Sequence, residues 1–417
     1  MPIDSIFHAL SLSPDCVATA QSLGYTTPTP IQIDAIPVIL EGRDLIASAP
    51  TGSGKTLAYC LPLIDLICAS STNSKRDPRA LILVPTRELA SQVGDVLIEL
   101  VKNLSNQKIK VSVAFGGVSI NPQMMQLRGG SDIVVATPGR LLDLLASNAL
   151  QLSDIRTLVL DEADRLLDCG FADELDLILT HLPAQRQNIF LSATFPDTLK
   201  NLGAKQLNNA IELLASRPTD QSVQIDQRAI EVDAEKRTQL LIHLFKTSGW
   251  DRALVFVATK YASGHIAEKC NRAGLVALAF NGDMSQGARS DALSALKASK
   301  VQIVVTTDLA SRGIDVDDLP VVVNYDLPRS ADDYTHRIGR TGRAGRTGVA
   351  ISFVNPLTQA HFKLIEKRQG CTITRQRVAG FEPSNSATVV QQPSGGLKGK
   401  RPNKKDKLRA LLAPDQQ

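Results

Sequence analysis

Thr157-Leu158-Val159-Leu160-Asp161-Glu162-Ala163-Asp164 decides how this chain is read. The first four residues are a short apolar run of strand length, as a buried strand requires. Three carboxylates follow almost at once. At the end of a buried strand they are costly unless a cation or a polar reaction uses them. Upstream stands Ala49-Pro50-Thr51-Gly52-Ser53-Gly54-Lys55-Thr56, directly after the strand-like Leu45-Ile46-Ala47-Ser48. Gly52 and Gly54 free the backbone to turn N–H groups toward an anion, and a helix starting at Lys55 adds the positive end of its dipole. Together the two stretches describe a site for a nucleoside triphosphate and Mg²⁺. Lys55 is expected at the β- and γ-phosphates, and the Thr56 hydroxyl and Asp161 at the metal, partly through water. Glu162 is expected to position and polarise the attacking water. The generic phosphate-loop pattern asks for glycine at position 49, where this chain has Ala49.

Composition fits this reading without demanding it. A chain of 417 residues is long for one core, so two or three domains are expected. Hydrophobic content of 43% and charged content of 21% suit a soluble globular protein. No apolar run is long enough to span a bilayer, and no basic stretch followed by an apolar block opens the chain, so a cytoplasmic protein without membrane contact is expected. The six cysteines form no CxxC pair and no zinc spacing, which reads as reduced thiols. Net charge is +4, yet Lys398, Lys400, Arg401, Lys404, Lys405, Lys407 and Arg409 crowd one stretch. The body is then near neutral, and a nucleic-acid site there has to be a local patch.

Short β-rich runs alternate with longer helical patterns. Strands are predicted at 44–48, 80–84, 111–115, 132–136, 157–160 and 188–191, then at 252–257, 276–280, 301–306, 320–324 and 348–353. Such alternation predicts an α/β fold of parallel sheets with helices on both faces. The rhythm loosens around Ser216-Arg217-Pro218-Thr219-Asp220-Gln221-Ser222. This divides the chain into a first domain, 1–212, a linker, 213–226, a second domain, 227–380, and a polar, basic tail, 381–417, expected to be disordered.

Other stretches gain meaning together. Phe7 and Gly24-Tyr25-Thr26-Thr27-Pro28-Thr29-Pro30-Ile31-Gln32 precede the phosphate loop. A glutamine amide offers one donor and one acceptor face, the complement of adenine, and Phe7 is placed to stack on a base. By themselves these residues read as a Pro-rich turn with a surface glutamine. Further on come Pro85-Thr86-Arg87-Glu88-Leu89-Ala90, Gly116-Gly117, Thr137-Pro138-Gly139-Arg140 and Ser192-Ala193-Thr194. The second half adds Leu254-Val255-Phe256-Val257, Gln286 with Arg289, Thr307-Asp308-Leu309-Ala310-Ser311-Arg312-Gly313-Ile314-Asp315 and His336-Arg337-Ile338-Gly339-Arg340-Thr341-Gly342-Arg343.

In this order the set resembles the DEAD-box family of ATP-dependent RNA helicases in superfamily 2, short-tailed bacterial type, from about Phe7 to Phe353. Ala49 is the residue that family carries at its phosphate loop. Asn281 departs from it, since the family usually has His there. The resemblance implies two tandem RecA-like domains of the P-loop NTPase fold, ATP and Mg²⁺ as cofactors, and RNA as partner. It implies nucleotide contacts from Phe7, Tyr25, Gln32, Ala49, Pro50, Thr51, Gly52, Ser53, Gly54, Lys55, Thr56, Asp161, Gly313, Asp315, Arg340 and Arg343. Pro85, Thr86, Arg87, Gly116, Gly117, Thr137, Pro138, Gly139, Arg140, Gln286, Arg289, Thr307, Arg312 and Gly313 are implied at RNA, and Ser192 and Thr194 in coupling. Arg340 and Arg343 are the expected arginine fingers, with His336 bridging near the γ-phosphate.

The implied activity is RNA-stimulated ATP hydrolysis that separates short duplexes by closure of two domains. Backbone amides, hydroxyls and arginines suit phosphate and sugar rather than base edges, so weak sequence preference and strong salt dependence are expected. An ATP-gated RNA clamp or ribonucleoprotein remodeller needs the same closed state, and a DNA translocase of the same superfamily is the third reading. A monomer, with ribosomal or RNA-decay ribonucleoproteins as settings by analogy, completes the expectation.

Overall fold

The computed structural model describes residues 7–49, 52–70, 77–105, 109–168, 170–214, 225–311, 319–342 and 347–384. Two seven-stranded sheets are built from the apolar runs, and all their pairings are parallel. The first contains β1 (Leu45–Ser48), β2 (Ala80–Leu83), β3 (Val111–Ala114), β4 (Ile133–Ala136), β5 (Thr157–Leu160), β6 (Gln187–Ser192) and β7 (Ile211–Leu214). Its spatial order is β3-β4-β2-β5-β6-β1-β7. The second contains β8 (Ile225–Glu231), β9 (Ala253–Phe256), β10 (Ala277–Phe280), β11 (Ile303–Thr306), β12 (Val321–Asn324), β13 (Gly348–Val354) and β14 (Arg375–Gln376), in the order β10-β11-β9-β12-β13-β8-β14.

Counted from its own first strand, each sheet has the same order, so the two lobes are one topology used twice. The loop after the first strand carries Gly52, Gly54 and Lys55 in one lobe. In the other it reads Val232-Asp233-Ala234-Glu235-Lys236, with no glycine and no Lys-Thr pair. One fold therefore appears with a phosphate loop and once without.

Residues of the inner strands are buried on both faces, which is why their sequences are continuous, largely apolar runs rather than alternating ones. Along β2, Leu81 and Leu83 join one core and Ala80 and Ile82 the other. Truncating such a wholly buried leucine to alanine costs about 2–5 kcal/mol. Helices cover both faces. Those that shape the site are α2 (Pro30–Leu40), α3 (Lys55–Ala69), α4 (Arg87–Lys102), α5 (Ile120–Leu127) and α6 (Pro138–Ala146) in the first lobe. In the second lobe they are α11 (Lys260–Arg272), α12 (Gln286–Lys297) and α14 (Ala331–Ile338). No helix among the described residues is long and apolar enough to cross a membrane.

Three strands escaped the sequence reading. β7 and β8 are sheet members whose apolar runs are broken by polar residues, Ile211-Glu212-Leu213-Leu214 and Ile225-Asp226-Gln227-Arg228, and β14 is two residues long. The segment expected as a linker, 213–226, is thus trimmed at both ends, and 215–224 lie outside the described residues. The expected tail begins too early for the same reason: Phe381 packs on the core of the second lobe, its ring 5.3 Å from that of His243. Residues 385–417, with the basic cluster, lie outside the described residues.

Candidate active site

In a parallel sheet the loops at the carboxyl ends of the strands gather on one edge, where ligands bind. Strand order then sorts the motifs. β5, β6 and β1 are neighbours, so Asp161–Asp164, Ser192–Thr194 and the phosphate loop lie side by side. β3, β4 and β2 are neighbours too, which groups Gly116-Gly117, Thr137–Arg140 and Pro85–Arg87 on the other half of the edge.

At the phosphate loop, Gly54 has φ +92°, and a side chain there would strike the Gln32 amide and the Thr29 hydroxyl. Glycine is required twice over, by backbone angle and by space. Gln32 is 3% exposed. Its Oε1 accepts from the Thr29 N–H at 2.9 Å and its Nε2 donates to the Gly54 carbonyl at 3.1 Å. Half of the amide thus fastens α2 to the loop, and one donor and one acceptor position remain for a ligand. Lys55 is buried and donates to the Ala49 carbonyl at 2.5 Å. Burial pulls its ammonium down, against Asp161, Glu162 and Asp164, which hold it up. The Ser53 and Thr29 hydroxyl oxygens are buried with no hydrogen-bond partner among the described residues. Orphaned polar atoms around a glycine turn beside a buried ammonium are what a polyphosphate would satisfy, so the residues fit a nucleotide. Pro50 and Thr51 lie outside the described residues.

Phe7 departs from its expected place. It is 2% exposed inside the first core, so it presents no open ring face to a base. Phe7 goes into the core with Leu10 and Leu12, because that burial outweighs what an exposed ring would gain. Tyr25 packs half-buried against the same core.

At the end of β5, Glu162 turns the chain with φ +50°, a conformation uncommon for residues other than glycine. Asp161 is 4% exposed; its Oδ1 accepts from the Glu162 N–H and its Oδ2 from the Tyr59 hydroxyl, both at 2.9 Å. Burial pushes the Asp161 carboxyl up to about 6, with Lys55 opposing. Burial also presses the Glu162 carboxyl upward, but Arg165, Arg340 and His336 outweigh it and the net shift is down. Arg165 Nη1 donates to Glu162 Oε2 at 3.1 Å. Two of those three groups, Arg340 and His336, belong to the second lobe.

Asp164 is the junction between lobes. Its Oδ2 accepts from the Thr194 hydroxyl at 2.7 Å and the Thr194 N–H at 3.0 Å, and faces His336 Nε2 at 3.6 Å. Burial presses this carboxyl upward, yet the contacts with His336 and Thr194 hold it well below the usual carboxylate range. The Ser192 hydroxyl donates to the Thr194 carbonyl at 2.6 Å. The strand-end carboxylates, Ser192–Thr194 and α14 are therefore brought together. Arg340 is 6% exposed behind α14. Arg337, passed over as a functional residue in the sequence, fixes that region: its guanidinium grips Asp308 at 2.5 and 2.7 Å and Asn324 at 3.1 Å, over the Phe256 ring.

The RNA-side motifs divide. Thr86 and Thr137 precede α4 and α6 as N-caps. Gly117, at φ +76°, lies against the Arg87 guanidinium, where any side chain would clash. Arg140 and Arg289, expected to face RNA, are each 7% exposed and committed to protein. Arg140 donates to Val118 O at 2.8 Å and Gln123 Oε1 at 2.9 Å, holding the Gly116-Gly117 loop onto α5 and α6. Arg289 donates to Glu88 Oε1 of the first lobe at 2.6 Å, to Asn281 O at 3.3 Å and to Ala310 O at 3.0 Å, over the Phe280 ring. A buried guanidinium seeks carboxylate and carbonyl acceptors, and these sites supply them. Gln286 Oε1 is buried without a partner. Pro85 and Pro138 are buried, Gly139 and Thr307 half-buried. Arg312, Gly313, Asp315 and Arg343 lie outside the described residues.

Glu88, Gln123, Asp164, Arg165 and Arg337 were missed as site residues. Glu88 and Asp164 sit inside motifs the sequence had singled out, so adjacency was the available signal.

Two lobes of one parallel topology, one with a phosphate loop and the other presenting cations to its carboxylates, define a tandem RecA-like NTPase. The family model for DEAD/DEAH box helicases matches residues 29–202, and that for the helicase conserved C-terminal domain matches 236–345. The chain is 38% identical over 362 residues to the ATP-dependent RNA helicase CshA of Listeria monocytogenes, covering 87% of this chain and 68% of that one. Among solved structures it resembles S. cerevisiae Dbp5 bound to RNA and ADP BeF3, with TM-score 0.78 and 30% identity over 89% of this chain and 95% of that one. It also resembles Mss116p bound to ssRNA and AMP-PNP, with TM-score 0.81 and 26% identity over 92% of this chain and 80% of that one. The chain belongs to the DEAD-box family of ATP-dependent RNA helicases.

Proposed function

We propose that this helicase separates short RNA duplexes by closing its lobes on one ATP and one RNA strand, gripping phosphate and sugar with little regard to sequence. The observation that carries this reading is Asp164, whose one oxygen meets Thr194 of its own lobe and faces His336 of the other. Lys55 and the loop amides hold the phosphates. Thr56 and Asp161 would hold Mg²⁺, which when bound would neutralise phosphate charge. Glu162, kept ionised by Arg165, Arg340 and His336, orients water and accepts its proton. Arg340, with Arg343, meets charge developing on the transferred phosphoryl group. Neither Arg340 nor His336 reaches Glu162 from the second lobe unless the lobes are closed. By linkage, RNA tightens ATP as much as ATP tightens RNA.

RNA contacts fall to the Gly116-Gly117 loop, Thr86, Arg87, Thr137, Gly139, Gln286 and Thr307. The buried Arg140 and Arg289 support them from behind. The test compares displacement of a short RNA duplex with ATP against retention of single-stranded RNA with a nonhydrolysable analogue. Displacement that requires hydrolysis for turnover is expected. Long retention without displacement would replace the unwinding reading by a clamp, and equal action on DNA by a translocase.

A further inference from the structure

Tyr59 is, with Tyr334, the largest wholly buried side chain among the described residues, and it lies beside the phosphate loop's Lys55 in α3. Burying a tyrosine hydroxyl is unfavourable unless it finds an acceptor, and phenylalanine would fill nearly the same volume without that demand. The hydroxyl donates to Asp161 Oδ2 at 2.9 Å, a contact buried at both ends. Asp161 Oδ1 is held by the Glu162 N–H at the same distance. The carboxylate is therefore gripped at both oxygens by donors from different elements, α3 and the turn after β5. Each oxygen retains a lone pair for another partner.

The helix makes this coupling direct. Lys55 and Tyr59 are four residues apart in α3, and residues at that spacing share a helix face. The face that offers the ammonium to the phosphates thus also delivers the hydroxyl to the carboxylate. We propose that Tyr59 is a positioning residue for the divalent cation: it fixes the orientation in which Asp161 receives the metal, or the metal's water, of a magnesium–nucleotide complex. The inference rests on the reading of Asp161 as the cation's carboxylate.

The test uses the full chain and a fluorescent ADP analogue, titrated in EDTA and at increasing Mg²⁺. Tyr59→Phe keeps the packing and removes the donor. Mg²⁺-free binding is expected to be unchanged, while the Mg²⁺ concentration at half-effect rises about tenfold, the low end of what losing an outer-shell partner costs a metal site. In an Asp161→Asn background the same substitution should add nothing. Leu61→Val, which loosens the same helix away from the carboxylate, should leave the Mg²⁺ midpoint in place. An unmoved midpoint in Tyr59→Phe, whatever its melting temperature, overturns the proposal and leaves Tyr59 a packing residue. An unmoved midpoint in Asp161→Asn overturns instead the reading beneath it. If Tyr59→Phe does not fold, 3-fluorotyrosine at position 59 keeps the ring and strengthens the donor. A shifted midpoint then supports the role, and an unshifted one removes it.

Discussion

Glu88→Gln and Arg289→Gln, singly and together, test whether the two lobes are latched by the pair they form. The side chains are about nine-tenths buried and 2.6 Å apart. Breaking a buried ion pair by removing one charge costs about 3–5 kcal/mol when the other stays buried. Here the lobes have an escape, because opening returns the orphaned charge to water. The loss should then appear in the closure equilibrium rather than in unfolding. With part of the penalty relieved, about 2–3 kcal/mol remains, which corresponds to a roughly 30- to 150-fold weaker closed complex. The assay is RNA affinity with and without a nonhydrolysable ATP analogue, with inter-lobe energy transfer as a second readout. Affinity with the analogue should fall by that factor in either single variant, while affinity without nucleotide changes little. The double variant should be no worse than the singles, since the cycle isolates the shared contact. If Arg289 instead binds RNA phosphate, Arg289→Gln will weaken RNA binding with or without nucleotide and lower the salt slope by about one. Glu88→Gln will then be harmless, and the latch argument fails.

Glu162→Gln should bind ATP normally and lose turnover by roughly 100-fold or more, as expected for removal of a general base, and wild-type steady-state rates would exclude that role. Asp161→Asn tests the buried carboxyl at about 6. Because this folded value lies above the unfolded one of about 3.9, the group's stabilising contribution is full below pH 4 and is lost as pH rises through 6. The variant lacks that term, so its melting temperature relative to wild type should climb mainly between about pH 4 and 6, by the equivalent of up to about 3 kcal/mol in all; a flat difference refutes the assignment. Burial pushes the Cys16 thiol up to about 12 and that of Cys270 to about 11, and raises Cys60 well above its ordinary value. These thiols stay protonated at pH 8, so native alkylation should spare them until denaturant is added, as mass spectrometry would show.

The sheet strands that run wholly apolar, such as Ile133–Ala136 and Ala253–Phe256, were legible because a strand buried on both faces leaves little room for polar residues. β7 and β8 were not, because strands with exposed positions tolerate Glu212, Asp226 and Arg228 and lose the signal. Phe381 shows the same limit at the chain's far side: Val378-Ala379-Gly380-Phe381 is too short to show a helix or strand period, and only a hydrophobic surface distant along the chain makes it a core residue.

The motifs alone marked the candidate nucleotide residues, since glycine freedom, an ammonium, a hydroxyl and carboxylates have to appear in fixed local spacing to do that chemistry. What tertiary structure decided was the use of residues whose partners are far away in sequence. Gln32 divides its amide between Thr29 and Gly54, Arg140 supports a loop, and Arg289 spans 201 positions to reach Glu88. A guanidinium looks the same in sequence whether it faces phosphate or carboxylate. Burial and the nearest acceptor choose between them, and both exist only once the lobes are folded and closed.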